Sequence, residues 1–420
     1  MSENVSVEPA KWYKRIGPCM VSATSIFGPA SMLLALTAGA RYRYQLIWVL
    51  IIVALERIIF SEFAIRTAIK LEDTWYFSMR KRYGTPLSII AGILAFISPN
   101  VYVAGNVLGT SNAALLFLPQ GINIIPVAIV MMAITIGIFW QKHVYPIIEK
   151  IAITMVFVMI LSYLIIVVIV GFNPGEFFRG LIPSRAVFYD PAMMLFAVSI
   201  FTSNTSSFSV NLTFLVREKK YSFEEAKTNA RLDVYLGLAY FVFVLILLMI
   251  AGAEILNPQG LVPVSAQQFA RILEPVYGNG SRVVFGLGLF SAAFTSLVGT
   301  PISLAYTLSD TVGRLDRGAD SMFVRVTASL CVLVFGTMVV IATLRGVPMM
   351  NIFWLASLCT FITLPVNGFV MCHTVGNKKL MGELLPPMWM IIAGWVLYSG
   401  IVLWSSYNIL TRTIIPMFFK

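Results

Sequence analysis

The sequence predicts an all-α integral membrane protein, and three observations carry that prediction. Of 420 residues, 58% are hydrophobic and 12% charged, against about 25% charged in a soluble domain. Apolar stretches follow one another from Gly17 almost to the C-terminus. Each is long enough to cross a bilayer, which takes about 20 residues at roughly 1.5 Å of rise per residue. The 30 Lys and Arg residues also fall unevenly on the two sides of those stretches.

Eleven spans are predicted, near 17–39, 44–69, 86–117, 121–140, 150–171, 191–216, 231–253, 282–309, 322–344, 348–374 and 387–408. With the N-terminus in the cytoplasm, nineteen basic residues lie on the inner side, among them Arg80, Lys81, Arg82, Arg217, Lys219 and Lys220. Nine lie on the outer side, among them Arg41, Arg43 and Arg179, while Arg57 and Arg66 sit within span 2. This positive-inside bias gives a cytoplasmic N-terminus and an extracytoplasmic C-terminus in a plasma (bacterial inner) membrane. The net charge of +11 is therefore a topology signal with attraction to anionic lipid, and no nucleic-acid partner is predicted. The polar first 16 residues and the absence of a small-residue cleavage pattern argue against a removed signal peptide. Cys19, Cys331, Cys359 and Cys372 lie inside apolar segments and read as packing residues.

No linker divides the chain, so residues 1–420 form one predicted domain. Loops are short except 171–190 and 254–281. The second contains Val264–Leu273, whose apolar spacing suits a short amphipathic helix on the outer face.

Spans 1 and 6 are the informative pair. Span 1 is interrupted by Ser25-Ile-Phe-Gly-Pro-Ala-Ser31, and span 6 by Thr202-Ser-Asn-Thr-Ser-Ser-Phe-Ser209. Backbone freed from a helix at mid-membrane must line a cavity or be covered by protein. Two interrupted helices five spans apart fit a 5+5 inverted repeat, about 17–171 and 191–374, with an extra helix at 387–408. In that architecture a substrate sits at the paired breaks of a secondary transporter.

Several segments resemble the NRAMP family of divalent-metal transporters. Gly17-Pro18, Ala38-Gly39-Ala40 followed by Tyr42 and Tyr44, and Trp48 match its first hairpin. Val107-Leu-Gly-Thr110, Gly288-Leu-Phe-Ser-Ala-Ala-Phe-Thr-Ser296 and Asn377-Lys-Lys-Leu-Met-Gly-Glu383 follow its pattern in and after later spans. The resemblance covers nearly the whole chain and implies a leucine-transporter-type fold with eleven helices. It also shows where this chain departs. The family's Asp-Pro-Gly-Asn at the span-1 break reads Gly28-Pro29-Ala30-Ser31, and its span-6 Met-Pro-His reads Thr205-Ser206-Ser207. The second span-6 histidine falls on Leu212, the acidic pair of span 3 on Val103 and Asn106, and the span-10 glutamine on Ser357. The chain thus looks like a divergent bacterial branch without the usual metal ligands.

Soft sulfur selects transition metals, and a hard divalent ion needs oxygen ligands and charge compensation. The breaks carry neither thioether nor carboxylate. Hydroxyls and half-helix N-termini suit a small polar or carboxylate-bearing organic solute instead, and Phe27, Phe201 and Phe208 can enclose its apolar part, or else contact lipid or pack between helices. The predicted substrate residues are Ser25, Phe27, Gly28, Ser31, Thr202, Thr205, Ser206, Phe208 and Ser357, with no resident metal or cofactor. A partly hydrated Mg²⁺ is the alternative cargo. Glu56, Glu62, Arg66 and Asn106 are coupling or gating candidates, Glu62 and Arg66 meeting at i,i+4 as a pair. Asn100, Asn112, Thr360, Thr363 and Asn367 are weaker path candidates. No nucleophile–base pair or phosphate-cradling loop appears, so no enzyme is predicted. A channel lacks its repeated pore loop here, and a receptor its appended signalling domain.

Overall fold

The computed structural model describes residues 27–71, 73–119, 121–141, 144–204, 210–219, 223–262, 278, 280–314, 321–347, 351, 352, 355, 359 and 363–409. Among these residues all the regular secondary structure is helical, with no strand. The helices are α1 (Pro29–Tyr42), α2 (Ile47–Lys70), α3 (Trp75–Tyr83), α4 (Thr85–Ile97), α5 (Asn100–Leu115), α6 (Ile124–Phe139) and α7 (Val144–Val170). Then follow α8 (Pro174–Arg179), α9 (Arg185–Tyr189), α10 (Pro191–Asn204), α11 (Val210–Lys219) and α12 (Phe223–Ala251). The chain finishes with α13 (Gly280–Thr311), α14 (Met322–Leu344), α15 (Leu364–Gly376), α16 (Lys378–Met381) and α17 (Met388–Ile409). The predicted amphipathic helix at 264–273 lies outside the described residues.

The helices pack in a way that repeats after five spans. α1 packs on α10, α2 on α12, α5 on α13 and α6 on α14, which are spans 1 with 6, 2 with 7, 3 with 8 and 4 with 9. α1, α2, α10, α11 and α12 form one bundle, while α5, α6, α13 and α14 form a scaffold around it. α13 is the buried centre of that scaffold, against α5, α7, α14 and α4. By contrast α14 exposes Leu330, Leu333, Val334, Met338 and Ile341, one helical face of apolar residues suited to lipid.

Three local features depart from the span map. Span 3 is two helices, α4 and α5, because Pro99 has no N–H and its ring clashes with the preceding turn. Asn100 Nδ2 donates to the carbonyl of Phe96, in the turn before the proline, at 2.6 Å. The stretch between spans 2 and 3 folds as α3, capped from a distance by Asp310 of α13, whose carboxylate accepts from Thr74 Oγ1, from Tyr76 N at 2.6 Å and from Phe77 N at 3.3 Å. The 171–190 loop contains α8 and α9, and α8 is capped by Asn173, whose side chain accepts from Glu176 N at 3.2 Å.

Span 7 ends in a π-helical turn, Gly252–Leu256, pressed against α1. A Cβ on Gly39 would collide with the Met249 carbonyl oxygen, and a Cβ on Gly252 with the Leu36 carbonyl oxygen. Two glycines therefore let the backbones of spans 1 and 7 touch. Beside this seam Arg43 pairs with Glu176 at 2.7 Å and Glu254 at 3.4 Å, and Tyr44 donates to Glu254 at 2.7 Å.

Candidate functional site

At the span-1 break, Gly28 is extended (φ −94°, ψ 178°) and Pro29 opens α1. Proline suits a first helical position because its missing N–H would have no partner there anyway. Gly28 has no side chain to cap the helix, and no acid lies in the first turn. α1 thus turns its positive end toward the break.

Gly28 faces protein. A Cβ placed on it would lie 2.9 Å from Asn106 Oδ1 of α5 and 3.5 Å from Ser296 Oγ of α13. Asn106 Nδ2 in turn reaches Thr300 Oγ1 at 3.4 Å. Gly109 makes room for the break itself, since a Cβ there would come within 2.6 Å of Pro29 Cβ. This gives a physical reason for the glycine of the Val107–Thr110 motif. Asn106, Ser296 and Thr300 form a neutral wall of amide and hydroxyls beside Gly28.

The other break is held from several sides. α10 ends at Asn204, and the last carbonyls of a helix lack intrahelical donors. Ser31 Oγ donates to the Ser203 carbonyl at 3.1 Å, and Arg57 Nε and Nη2 donate to the Asn204 carbonyl at 3.0 and 2.7 Å. Thr202 Oγ1 donates to Val198 O at 3.0 Å, Ser203 Oγ to Ile200 O at 3.1 Å and Asn204 Nδ2 to Ile200 O at 2.5 Å. The donors of residues 202–204 therefore serve their own helix end, a use of Ser, Thr and Asn that the sequence reading did not separate from solute binding. The Oδ1 atom of Asn204 is buried with no partner among the described residues.

Arg57 is the element the sequence reading missed. Its guanidinium, 4.1 Å from the Phe241 ring centroid, carries a cation to the negative end of α10. Phe27, fully buried, meets the same ring edge-on at 5.6 Å and Tyr240 at 6.3 Å. It packs into span 7 and does not face lipid. A chain of contacts thus runs from Phe27 through Phe241 and Arg57 to Asn204, joining the two breaks. The available signal was spacing: Val53, Ala54, Phe60 and Ser61, three and four residues away, offer Arg57 no acid, so the groups it serves belong to other helices.

Glu56 is 1% exposed, and both carboxylate oxygens have no hydrogen-bond partner among the described residues. Glu62 and Arg66 pair at 3.0 Å, and Arg66 Nη1 donates to Leu384 O at 3.0 Å. They tie α2 to the turn after span 10. Asn100 and Asn112 each donate to the carbonyl four residues back, at 2.6 and 2.8 Å, and Tyr76 Oη donates to Asn367 Oδ1 at 3.5 Å. Thr363 is buried just before α15. Ser25, Thr205, Ser206, Phe208, Ser357 and Thr360 lie outside the described residues. Among the described residues no group of three His, Cys, Asp or Glu side chains is placed to hold a metal ion.

Two half-helix ends meeting inside a bundle, with a scaffold around it, define a membrane transporter of leucine-transporter type. Solved structures bear this out at the level of fold. The Eremococcus coleocola manganese transporter superposes with a TM-score of 0.80 at 16% identity, covering 98% of this chain and 90% of that one. Mhp1, a nucleobase-cation-symport-1 family transporter, gives a TM-score of 0.61 at 15% identity over 98% of this chain and 97% of that one. In sequence, residues 19–411 match the family model described as natural resistance-associated macrophage protein-like. The chain belongs to the Nramp family. Its relatives include the divalent metal cation transporter MntH of Staphylococcus haemolyticus, 23% identical over 95% of this chain and 91% of the relative. The protein of the same name from Xylella fastidiosa is 22% identical over 92% of this chain and 83% of the relative.

Proposed function

We propose that this Nramp-family transporter carries a small polar or carboxylate-bearing organic solute at its paired breaks. The observation that carries the reading is the charge at those breaks. The positive end of α1 opens at Gly28, where the family pattern has an aspartate, and the Arg57 guanidinium is bound at Asn204. The described walls between them, Ser31, Asn106, Ser296 and Thr300, are neutral. A dication there meets one helix N-terminus, one guanidinium and no carboxylate in the described walls, whereas a carboxylate is attracted by both the N-terminus and the guanidinium. Cargo of this class also suits the fold, which is shared with Mhp1 bound to bromovinylhydantoin (TM-score 0.61) and with a Na⁺-coupled sialic acid symporter (TM-score 0.61).

A divalent cation is the second reading, favoured by the relatives named as divalent metal cation transporters over more than nine-tenths of this chain. Under it the cargo is a hard, hydrated ion of the Mg²⁺ kind, held by hydroxyls and carbonyls. A thermal-shift screen of the purified protein against metals, amino acids and small carboxylates separates the two, because a ligand of the native state raises its stability. Stabilisation by a carboxylate and not by Mn²⁺ or Mg²⁺ supports the first reading, and the reverse overturns it. The cytoplasmic placement of the N-terminus belongs to this proposal too. It rests on the basic residues of 70–82 and 217–231, and a reporter fused at either terminus tests it.

A further inference from the structure

Glu56 is a carboxyl group inside the membrane bundle whose two oxygens receive no hydrogen bond among the described residues. Burying an ionised carboxylate without donors is costly enough that such a group takes up a proton or binds a cation. Among the described residues the charged group acting on it is Arg57, the next residue, and Arg57 holds the end of α10 at Asn204 and lies over Phe241.

Among the described side chains, the other elements packed on α2 bring few ionisable groups to this place. α10 has none in its sequence, and from α12 Tyr240 is the group that feels Arg57. Arg217 of α11 donates to Leu71 O at 2.7 Å, at the far end of α2. In α15, His373 is bonded to Tyr83 at 2.5 Å and Cys372 is buried, while Tyr398 of α17 donates to Pro365 O at 2.8 Å.

We infer that Glu56 is a reversible proton site coupled to the span-6 break through Arg57. When Glu56 is ionised, it and Arg57 together are neutral. When it takes up a proton from water, its carboxylate becomes a neutral carboxyl, and the negative charge that offsets the guanidinium beside Asn204 is removed. A carboxylate at the break then gains attraction, so proton and anion bind together. The proton and the anion enter as a neutral pair. This second step rests on the carboxylate reading proposed above, whereas the proton site itself does not.

Infrared difference spectroscopy of the full chain in lipid nanodiscs tests the proton site without any solute. The expected result is a protonated-carboxyl stretch that appears and disappears across the acid-to-neutral range, is lost in Glu56→Gln and survives in Glu62→Gln. Glu56→Asp should shift the band and keep it titrating, which covers the case where Glu56→Gln folds poorly. A wild-type spectrum in which no titrating band depends on residue 56 overturns the inference. Hydrogen exchange of the peptide across Asn204, corrected for intrinsic pH effects, tests the coupling. Slower exchange in acid for the wild type, with no such change in Glu56→Gln, is expected, and identical pH profiles sink the link through Arg57. In the solute screen, small carboxylates should bind about tenfold better in acid than at neutral pH, and equally well at both in Glu56→Gln. A pH-independent carboxylate affinity overturns the co-binding. A screen in which only divalent cations bind, with the infrared band intact, overturns the carboxylate reading and its co-binding while the proton site stands.

Discussion

The guanidinium of Arg57 on α2 donates two hydrogen bonds, at 3.0 and 2.7 Å, to the carbonyl oxygen of Asn204 at the end of α10. A bidentate cation at a helix C-terminus answers both the unpaired carbonyl and the negative end of the dipole. Because the site is buried, the interaction is weakly screened.

Arg57→Ala should therefore be among the most damaging substitutions in the bundle. It strips the Asn204 carbonyl of its donors and leaves Glu56 without the cation beside it, a loss of about 3–5 kcal/mol for a broken buried charge interaction. Arg57→Lys keeps the charge and loses the fork, so it should fall in between. Thermal unfolding of both variants in one detergent gives the order, and a wild-type melting temperature in Arg57→Ala would refute it.

The seam between spans 1 and 7 yields a second prediction. Gly39 and Gly252 each sit against a backbone carbonyl of the other helix, and backbone cannot swing aside as a side chain can. Gly39→Ala and Gly252→Ala should each cost at least about 1–3 kcal/mol by overpacking. Because both substitutions open the same seam, the double variant should lose less than the two single losses combined. Additive melting shifts would mean that the two glycines act independently.

Much of this arrangement was legible in the sequence, and the exceptions have physical causes. Long apolar stretches announce membrane helices, and Gly28-Pro29 announces a break, because proline and the length of a bilayer act locally. The family pattern supplied the order of helices. Arg57, Asp310 and the Gly39–Gly252 seam were not legible, since each acts on a residue far away in the chain: Asn204, Tyr76 and Met249 respectively. Pro99 could have been read as a second interruption in span 3. The hydroxyl of Thr202 reads as a ligand from composition, and it donates to the carbonyl four residues back, a use that sequence spacing alone does not separate from solute binding.

Asp310 makes the junction of α3 and α13 testable. Its carboxylate caps α3 through Tyr76 N and Phe77 N and accepts from Thr74. Asp310→Ala should cost about 0.5–2 kcal/mol, as loss of a cap does, and should speed proteolysis of the segment that leads into α3. Unchanged cleavage there, with unchanged melting, would show that the cap contributes nothing.

Mn²⁺ and Fe²⁺ should not bind at the breaks with micromolar affinity. Gly28 supplies no carboxylate, and the described wall supplies no thioether, imidazole or carboxylate; soft or charged ligands are what such ions require. Calorimetric titration checks this. A micromolar Mn²⁺ site abolished by Ser31→Ala or Thr205→Ala would refute the prediction.

Gly28→Asp separates the two cargo readings by sign. Gly28 faces Asn106 and Ser296, so a carboxylate there points into protein and not into lipid. The new Cβ would lie 2.9 Å from Asn106 Oδ1, closer than such contacts allow, so the amide must turn. Gly28→Ala is therefore the control for space alone. Relative to that control, a carboxylate-bearing solute should lose binding by two orders of magnitude or so, since an unpaired like charge in a buried site costs about 2–5 kcal/mol. A cation would instead gain a partner, and its uptake would rise. Transport in proteoliposomes of whichever solute the thermal screen identifies, measured for wild type, Gly28→Ala and Gly28→Asp, reads the sign directly. Abolished solute uptake in Gly28→Asp, with the alanine variant active, supports the organic-solute site. Enhanced uptake of Mg²⁺ or another cation already carried by the wild type overturns it.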